Sequence, residues 1–176
     1  SDEAYQLEIT PDSIFIDATS AKGAFYARQA IKQLARHERG KIRCCRIYSS
    51  PRYAWRGFML DESRHFFGKE KVKQYLDLMA LLHLNVFHWH LTDEPGWRIE
   101  IKKYPKLTEI GSQRSETMVD YFYTHYPFKY DGKPHGGFYT QDEIKEVVAY
   151  AQSKYITVIP EIELPGHALA AIASYP

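Results

Sequence analysis

The sequence lacks several features that would by themselves define a class of protein. Its only cysteines, Cys44 and Cys45, are adjacent, so they cannot join distant segments through a disulfide. No apolar run approaches the roughly 20 residues of a membrane helix, and the first residues lack the charged start and apolar run of a signal peptide. The formal net charge is only +1, which provides no electrostatic case for nucleic acid. We therefore expect no disulfide framework, no membrane span and no nucleic-acid partner.

The composition that remains is typical of a soluble globular protein, with 44% hydrophobic and 26% charged residues. Aromatic residues reach 15%, with 14 Tyr and 9 Phe, and tyrosines cluster between Tyr121 and Tyr139. Large aromatic rings stack on the apolar faces of sugars or simply fill a core. The cluster therefore predicts either a sugar platform or a loop packed against the protein.

The first 50 residues predict a small α+β unit. Residues 5–16 alternate around the turn residues Thr10-Pro11-Asp12-Ser13, as in a β-hairpin. Residues 24–36 carry apolar side chains at helical spacing, and residues 42–47 resemble a strand. Ser49-Ser50-Pro51 interrupts this pattern, so we place a domain boundary there, with one domain over 1–50 and another over 51–176.

After that boundary, strands and helices alternate. A capping box, Thr140 to Glu143, marks one helix start. The pattern predicts an α/β fold with parallel strands, either a (β/α)8 barrel or a doubly wound sheet. A complete barrel needs about 250 residues, so this part is expected to be a fragment. The predicted strands are 58–61, 85–91 and 155–159; the predicted helices are 69–82, a helix after the capping box, and one starting at 168.

Charged residues follow each predicted strand. In a parallel barrel the carboxyl ends of the strands carry the active site. Acidic residues at strand ends also often serve only loop hydrogen bonds, so Glu94, Glu161 and Glu163 are weaker candidates. The three groups are Asp61 with Arg64, Asp93 with Glu94, and Glu161 with Glu163.

Four blocks of sequence carry a family resemblance over nearly the whole chain. In their order they resemble the glycoside hydrolase family 20 β-N-acetylhexosaminidases. That resemblance implies the first three β/α units of a (β/α)8 TIM barrel, preceded by the C-terminal part of a small α+β domain. The blocks are Arg56-Gly57-Phe58-Met59-Leu60-Asp61 with Arg64-His65, Leu84–Leu91 with Thr92–Arg98, Gly137-Phe138-Tyr139-Thr140, and Pro160–His167.

The resemblance also implies the biochemical setting. Such enzymes act on glycans that end in a β-linked GlcNAc or GalNAc, and they need no metal or organic cofactor. Their substrates often lie outside the cytoplasm, which favours a secreted, periplasmic or lysosomal-type location. The oligomeric state stays open.

The mechanism implied by the resemblance is retaining and uses the 2-acetamido group of the substrate as nucleophile. The acid/base residues lie in a His-x-Gly-Gly-Asp-Glu motif, which these 176 residues do not contain. His135-Gly136-Gly137 looks similar, but it continues as Phe138-Tyr139, so we reject it. We therefore expect the isolated chain to have no meaningful glycosidase activity.

Three residues match supporting positions of the family. Arg56 matches the arginine that binds hydroxyls of the terminal sugar, although a salt bridge is the simpler reading of a lone arginine. Asp93 and His167 match an Asp–His pair beside the acid carboxylate, in which the Asp fixes the tautomer of the histidine. Without the family, Asp93 is a loop turn residue and His167 a helix-start residue.

Two other classes of function stay open. His88 and His90 are two residues apart on a strand, which puts both rings on one face, as in metal-dependent barrel hydrolases. Histidines that pack in a core, or that support a site without contacting its ligand, have the same spacing. A non-catalytic carbohydrate-binding module is the third possibility, and it predicts sugar binding by this chain alone.

Overall fold

A computed structural model describes residues 1–37, 39–119 and 127–176. These residues form two compact units. The first comprises Ser1–Phe58, Gln74–Phe87 and Tyr150–Thr157; the second comprises Met59–Lys73, His88–Ala149 and Val158–Pro176. The first unit includes residues from after position 50, and the domain boundary proposed there stays a prediction. Within the described ranges, no helix combines the length and apolar character that crossing a membrane requires.

The secondary structure follows the predicted order of a hairpin, a helix and a strand, and then alternating strands and helices. The helices are α1 (Ala21–His37), α2 (Lys69–Leu81), α3 (Lys106–Glu109), α4 (Gln141–Gln152) and α5 (Leu169–Ser174). The longer strands are β1 (Tyr5–Ile9), β2 (Ile14–Ala18), β3 (Cys45–Ser49), β4 (Gly57–Asp61), β5 (Val86–His90) and β10 (Thr157–Glu161). Short two-residue strands are β6 (Thr92–Asp93), β7 (Gly96–Trp97), β8 (Gln113–Arg114) and β9 (His135–Gly136).

The predicted hairpin forms two strands of an antiparallel sheet in the first unit, and the strand order β2-β1-β3 places β1 at its centre. Strand β1 alternates between buried and half-buried residues, so its odd-numbered side chains form core. Leu7, fully buried, lies opposite Ile16 on one side and Ile47 on the other. Strand β3 therefore runs over 45–49 rather than 42–47, because the strand is placed by its pairing with β1.

The second sheet has the order β10-β5-β4. At its beginning, Asn85 N donates to Arg56 O at 2.9 Å; at its end, Glu62 N donates to His90 O at 3.0 Å. The residues before β4 and β5 thus bond to each other, and so do the residues at the ends of the two strands. Strands β4 and β5 therefore run parallel. Strand β10 pairs with β5 in the same direction, since Thr157 N donates to Asn85 O at 2.9 Å and Leu91 N to Glu161 O at 3.3 Å. Helices α2 and α4 are the crossovers, which confirms the α/β class.

The third parallel strand differs from its predicted bounds. The sequence pattern predicted a strand over 155–159 that Pro160 would end, but β10 runs from Thr157 to Glu161 and contains Pro160. Tyr155 has a φ of 58°, so the left-handed turn after α4 delays the strand. Thr157 and Glu161 pair with β5, so the alternation turns the proline nitrogen away from β5 and no hydrogen bond of that pair is lost.

The capping box forms as predicted. Thr140 N donates to Glu143 Oε2 at 3.1 Å, and Glu143 N donates to Thr140 Oγ1 at 3.2 Å. These reciprocal bonds satisfy amides that the first turn of α4 leaves without a partner.

A fully buried arginine, Arg98, ties together several loops of the second unit. Its Nε donates to Glu62 O at 3.1 Å, and its Nη2 donates to Ser63 O at 2.8 Å. Its Nη1 donates to Ser112 O at 2.5 Å and to Gly137 O at 3.1 Å. Burial lowers the pKa of Arg98 to about 10, so the guanidinium is still charged at neutral pH. One side chain thereby satisfies four carbonyls from three stretches of chain.

The surroundings of Arg98 are adapted to this role. A Cβ at Gly96 would overlap the guanidinium, so only glycine leaves room for it. The side chain of Glu62 is also fully buried and accepts bonds from Trp89 Nε1 at 2.8 Å and from Phe67 N at 3.1 Å. Burial raises the pKa of Glu62, although these donors oppose the shift.

The Arg98 contacts lead to a first prediction. Replacing Arg98 with Lys should lower the free energy of unfolding by at least about 2 kcal/mol, because a single ammonium cannot reach four carbonyls and each buried acceptor left unpaired costs about 1–3 kcal/mol. Urea denaturation measures the change. The matched control is Arg46→Lys, since Arg46 makes an exposed 2.5 Å ion pair with Glu8 and its replacement should leave the urea midpoint nearly unchanged. Equal losses in both variants would contradict this role for Arg98.

Candidate functional site

The candidate site lies in the second unit, where the three parallel strands end. Arg64 follows β4, Asp93 follows β5, and Glu163 and His167 follow β10. Because the carboxyl ends of parallel strands meet at one edge of a sheet, these side chains converge there.

Asp93 is the centre of the cluster, and its side chain is only 4% exposed. Oδ2 forms an ion pair with Arg64 Nη2 at 2.7 Å, and Oδ1 accepts a bond from Glu94 N at 2.7 Å. His167 Nδ1 lies 3.4 Å from Asp93 Oδ1. The structure therefore brings together the two residues of the predicted pair, and their catalytic role stays a prediction.

The backbone of His167 is unusual, with a φ of 50°. A left-handed conformation costs a residue with a Cβ roughly 1–2 kcal/mol. Strain of this kind concentrates at functional sites, where the surroundings hold it in place. Here it accompanies an imidazole that is 58% exposed and has one ring nitrogen directed at the buried carboxylate of Asp93.

The contacts of Arg56 favour one of its two possible roles. Arg56 precedes β4, at the opposite end of that strand from the cluster. Its Nη2 pairs with Glu3, its Nε donates to His83 O at 2.6 Å, and its Nη1 donates to Tyr53 O at 2.6 Å. All three nitrogens of the guanidinium thus serve structural bonds, which matches the salt-bridge reading of Arg56 rather than the sugar-binding one.

Arg56 and Arg64 differ in one feature that can also be read from the sequence. Arg64 follows the carboxyl end of β4, where functional side chains gather, whereas Arg56 precedes its amino end. Arg64 is 49% exposed and also donates from Nη1 to Asp61 Oδ2 at 2.8 Å.

The two histidines of β5 have different environments. His88 is 41% exposed, and its Nε2 lies 2.5 Å from Glu161 Oε2. His90 is buried; its Nδ1 lies 3.3 Å from Asp61 Oδ1, and its Nε2 lies 3.4 Å from Asp93 Oδ2. Two sets of donor atoms in the described part of the chain are close enough to share a metal ion, and neither includes His88. These sets are His90 with Glu161 and Glu163, and Asp93 with Glu94 and His167.

Glu161 and Glu163 interact as a carboxyl pair. The hydrogen bond with Glu161 raises the pKa of Glu163. At Glu161, burial raises the pKa. The hydrogen bond with Glu163 and the electrostatic effects of His90 and His88 outweigh burial, so the pKa of Glu161 is lowered. The two carboxyl groups therefore titrate as a coupled pair, because their shared hydrogen bond moves the two pKa values in opposite directions.

A cavity of about 670 Å³ opens beside the cluster. Its lining includes Arg64, Asp93 and His167 together with the aromatic rings of Phe128 and Tyr130. A charged cluster beside an apolar wall is suited to a sugar, which presents hydroxyls on its edge and C–H groups on its faces.

The predicted aromatic platform is only partly within the described residues. Tyr121, Phe122, Tyr123 and Tyr126 lie outside them. Tyr139 is buried, and its ring packs against Trp89 at a centroid distance of 4.8 Å, so it serves the core.

The histidine of the rejected motif has a structural role. His135 Nε2 accepts a hydrogen bond from Phe66 N at 2.9 Å, and its ring stacks on His65 at 4.3 Å. Burial, and next the positive charge of Arg114, lower the pKa of His135 to about 4.

A parallel α/β sheet with carboxylates, histidines and an arginine at the carboxyl ends of its strands has the architecture of an α/β enzyme. Comparison with known families gives the particular group. The model of the glycosyl hydrolase family 20 catalytic domain matches residues 53–176, and the model of domain 2 of that family matches residues 1–48. The chain therefore belongs to glycosyl hydrolase family 20.

Individual relatives agree with this assignment. A β-hexosaminidase of Porphyromonas gingivalis is 44% identical over 99% of this chain, which spans 22% of that protein. A β-hexosaminidase of Vibrio furnissii is also 44% identical, over 98% of this chain and 28% of its own length. The chain thus covers between a fifth and a third of these curated relatives.

Solved structures show the same similarity. A β-N-acetylhexosaminidase superposes with a TM-score of 0.89 at 39% identity, over 99% of this chain and 36% of its own. An exo β-N-acetylglucosaminidase from Vibrio harveyi, solved in complex with N-acetylglucosamine, gives 0.83 at 44% identity, over 99% of this chain and 27% of its own.

The environment of His135 predicts a pH dependence of stability. The pKa falls from an ordinary value of 6.5 to about 4 on folding, so the unfolded chain binds the proton more readily. Stability should therefore decline as the pH falls from 6.5 towards 4. A His135→Gln variant keeps an acceptor but does not titrate, so it should decline less over this range. Urea unfolding at a series of pH values measures both slopes, and equal slopes would contradict the prediction.

Proposed function

We propose that the protein carrying these residues hydrolyses terminal non-reducing β-linked N-acetylhexosamine from glycans. In this proposal, β4, β5 and β10 are the first three strands of an eight-stranded β/α barrel, and residues 1–50 are the end of the small α+β domain before it. Family membership supports both statements, as do the parallel strand order and the crossover helices.

One observation carries the proposal more than any other. Asp93, a buried carboxylate, contacts Arg64 on one oxygen and His167 on the other, at the edge of a cavity large enough for a sugar. A buried carboxylate that orients both a cation and an imidazole gives each a fixed direction towards a bound molecule.

Each member of the cluster then has a role. Arg64 donates to hydroxyls of the terminal sugar, since its guanidinium is half-exposed beside the cavity. Asp93 and His167 are positioning residues: the carboxylate holds His167 in one tautomer, and the imidazole tunes the acid residue that protonates the leaving oxygen.

The proposed chemistry retains the configuration of the anomeric carbon. The carbonyl oxygen of the 2-acetamido group attacks that carbon as the glycosidic bond breaks, and a carboxylic acid protonates the leaving oxygen. Water then opens the resulting oxazolinium ion. The His-x-Gly-Gly-Asp-Glu motif that holds the acid in this family does not occur in the present sequence, so these residues supply sugar binding and positioning.

The metal-dependent hydrolase that His88 and His90 suggested is less well supported. Its chemistry needs both histidines on one ion, but His88 pairs with Glu161 and belongs to neither group of potential metal donors among the described residues. A carbohydrate-binding module without catalysis stays an outcome of the experiment below.

The full-length gene product should hydrolyse 4-nitrophenyl N-acetyl-β-glucosaminide. The corresponding β-glucoside is the matched control, because it differs only in lacking the acetamido nucleophile and should not turn over. NMR of the first product should show the β-anomer. Turnover of both glycosides, or inversion, would contradict substrate assistance, whereas saturable sugar binding without turnover would favour a binding module. The 176-residue chain alone should be inactive.

The two arginines provide a second test. Arg64→Lys should lower kcat/KM by about 10- to 150-fold, since a charged hydrogen bond is worth about 1.5–3 kcal/mol. Arg56→Lys should leave kcat/KM within a few-fold, because the contacts of Arg56 with Glu3, Tyr53 and His83 are structural. Thermal melts identify losses that come only from unfolding. The reverse pattern would restore Arg56 as the sugar-binding residue.

A further inference from the structure

The buried histidine of β5 has one ring nitrogen that the fold does not use. His90 is 4% exposed, and its Nε2 is buried without a hydrogen-bond partner among the residues that the structure describes. A buried ring nitrogen in this state costs free energy unless something binds it. Two acidic oxygens lie near it, Asp93 Oδ2 at 3.4 Å and Glu161 Oε1 at 3.9 Å, so this nitrogen faces negative charge.

The other ring nitrogen determines which form of the imidazole is present. His90 Nδ1 lies 3.3 Å from Asp61 Oδ1 and can donate its proton there. Arg64 Nη1 lies 3.3 Å from the same nitrogen but only 2.8 Å from Asp61 Oδ2, so Arg64 is engaged mainly by the carboxylate. A proton on Nδ1 leaves Nε2 with a free lone pair. A carboxylate behind a histidine in this way is the usual outer support of a metal-binding imidazole.

Two carboxylates complete a set of donors. One ligand atom each from His90, Glu161 and Glu163 lies within 4.8 Å of the others. The position of Glu163 is set by its backbone, since Glu163 N donates to Thr92 Oγ1 at 2.8 Å. One histidine and two carboxylates, with a remaining position for water, form a donor set that Zn²⁺ accepts.

The charge of the surroundings favours a cation. Asp61 and Asp93 both lie close to His90, and the guanidinium of Arg64 forms ion pairs with both of these carboxylates. The positive charge of Arg64 is therefore already compensated. Glu161 also contacts His88 Nε2 at 2.5 Å, and the two neighbouring carboxylates of Glu161 and Glu163 together attract a cation.

We propose that His90 Nε2, Glu161 and Glu163 form a binding site for a divalent transition-metal ion, with Zn²⁺ as the preferred ion, and that Asp61 supports it through His90 Nδ1. The site adjoins Asp93, whose Oδ2 lies 3.4 Å from His90 Nε2, but it shares no ligand with the Asp93–His167 contact and does not depend on the glycosidase proposal. It binds an ion without taking part in hydrolysis, so its failure and the failure of that proposal are distinguishable.

The test is calorimetric titration of ZnCl₂ into the purified full-length gene product, which contains these 176 residues. Cys44 and Cys45 are free thiols and bind zinc themselves, so both are replaced by Ser in every variant. We expect one Zn²⁺ per chain. Co²⁺ at the same site should give visible absorption bands that Zn²⁺ abolishes by displacing it.

Variants then locate the ion. Glu163→Gln, at a half-buried position, should weaken Zn²⁺ binding at least about tenfold, and Asp61→Asn by about 10- to 100-fold through loss of outer support. His90→Gln should abolish binding, and thermal melts show whether this buried substitution still folds. Glu94→Gln is the matched control because it belongs to the other acidic group, and it should bind as the parent does.

Two results would overturn the proposal. One is the absence of a stoichiometric binding event in the cysteine-free parent. The other is loss of zinc in Glu94→Gln while Glu163→Gln still binds, because the ion would then lie between Asp93, Glu94 and His167.

Discussion

The buried guanidinium of Arg98 is the interaction on which the arrangement of the site depends. Loops at strand ends have no ladder to hold them, yet their carbonyls must be satisfied when they are buried. Arg98 bonds to Glu62 and Ser63, directly before Arg64, and also to Ser112 and Gly137. A planar, permanently charged group with five donors can serve several acceptors at once. The loops are thereby fixed relative to each other without regular structure.

The hydrogen bonds of Arg98 explain how the side chain of Arg64 can be partly exposed and still have a defined position. Its backbone follows a segment held by Arg98, so only the side chain has to be oriented, and Asp61 and Asp93 do this from two sides. The buried carboxylate of Asp93 in turn depends on its contact with a positive charge, since an isolated buried carboxylate would be strongly unfavourable. The polar groups that hold these loops and those of the candidate site thus lie close together in sequence at the end of β4.

Much of the fold could be predicted because the relevant interactions are local. The hairpin, the capping box at Thr140 and the alternation of strands and helices follow from periodicity and turn chemistry, and the structure contains all of them. The bounds of β3 and β10 were wrong because a strand is placed by its partner: Ile47 aligns with Leu7, and pairing with β5 extends β10 through Pro160. No pattern within either segment contains that information.

By itself, the sequence determined the family, the α/β class and the presence of Asp93 and His167 at strand ends, because motif order and periodicity are properties of the chain. Only the tertiary structure decided which charges pair. In the structure Arg56 contacts Glu3 and backbone carbonyls, and Arg64 forms an ion pair with Asp93. In the described part of the chain the structure also leaves Nε2 of the buried His90 without a hydrogen-bond partner. The pairing of charged side chains depends on distances between residues that are far apart in sequence. Those distances are set only when the strands of the parallel sheet align.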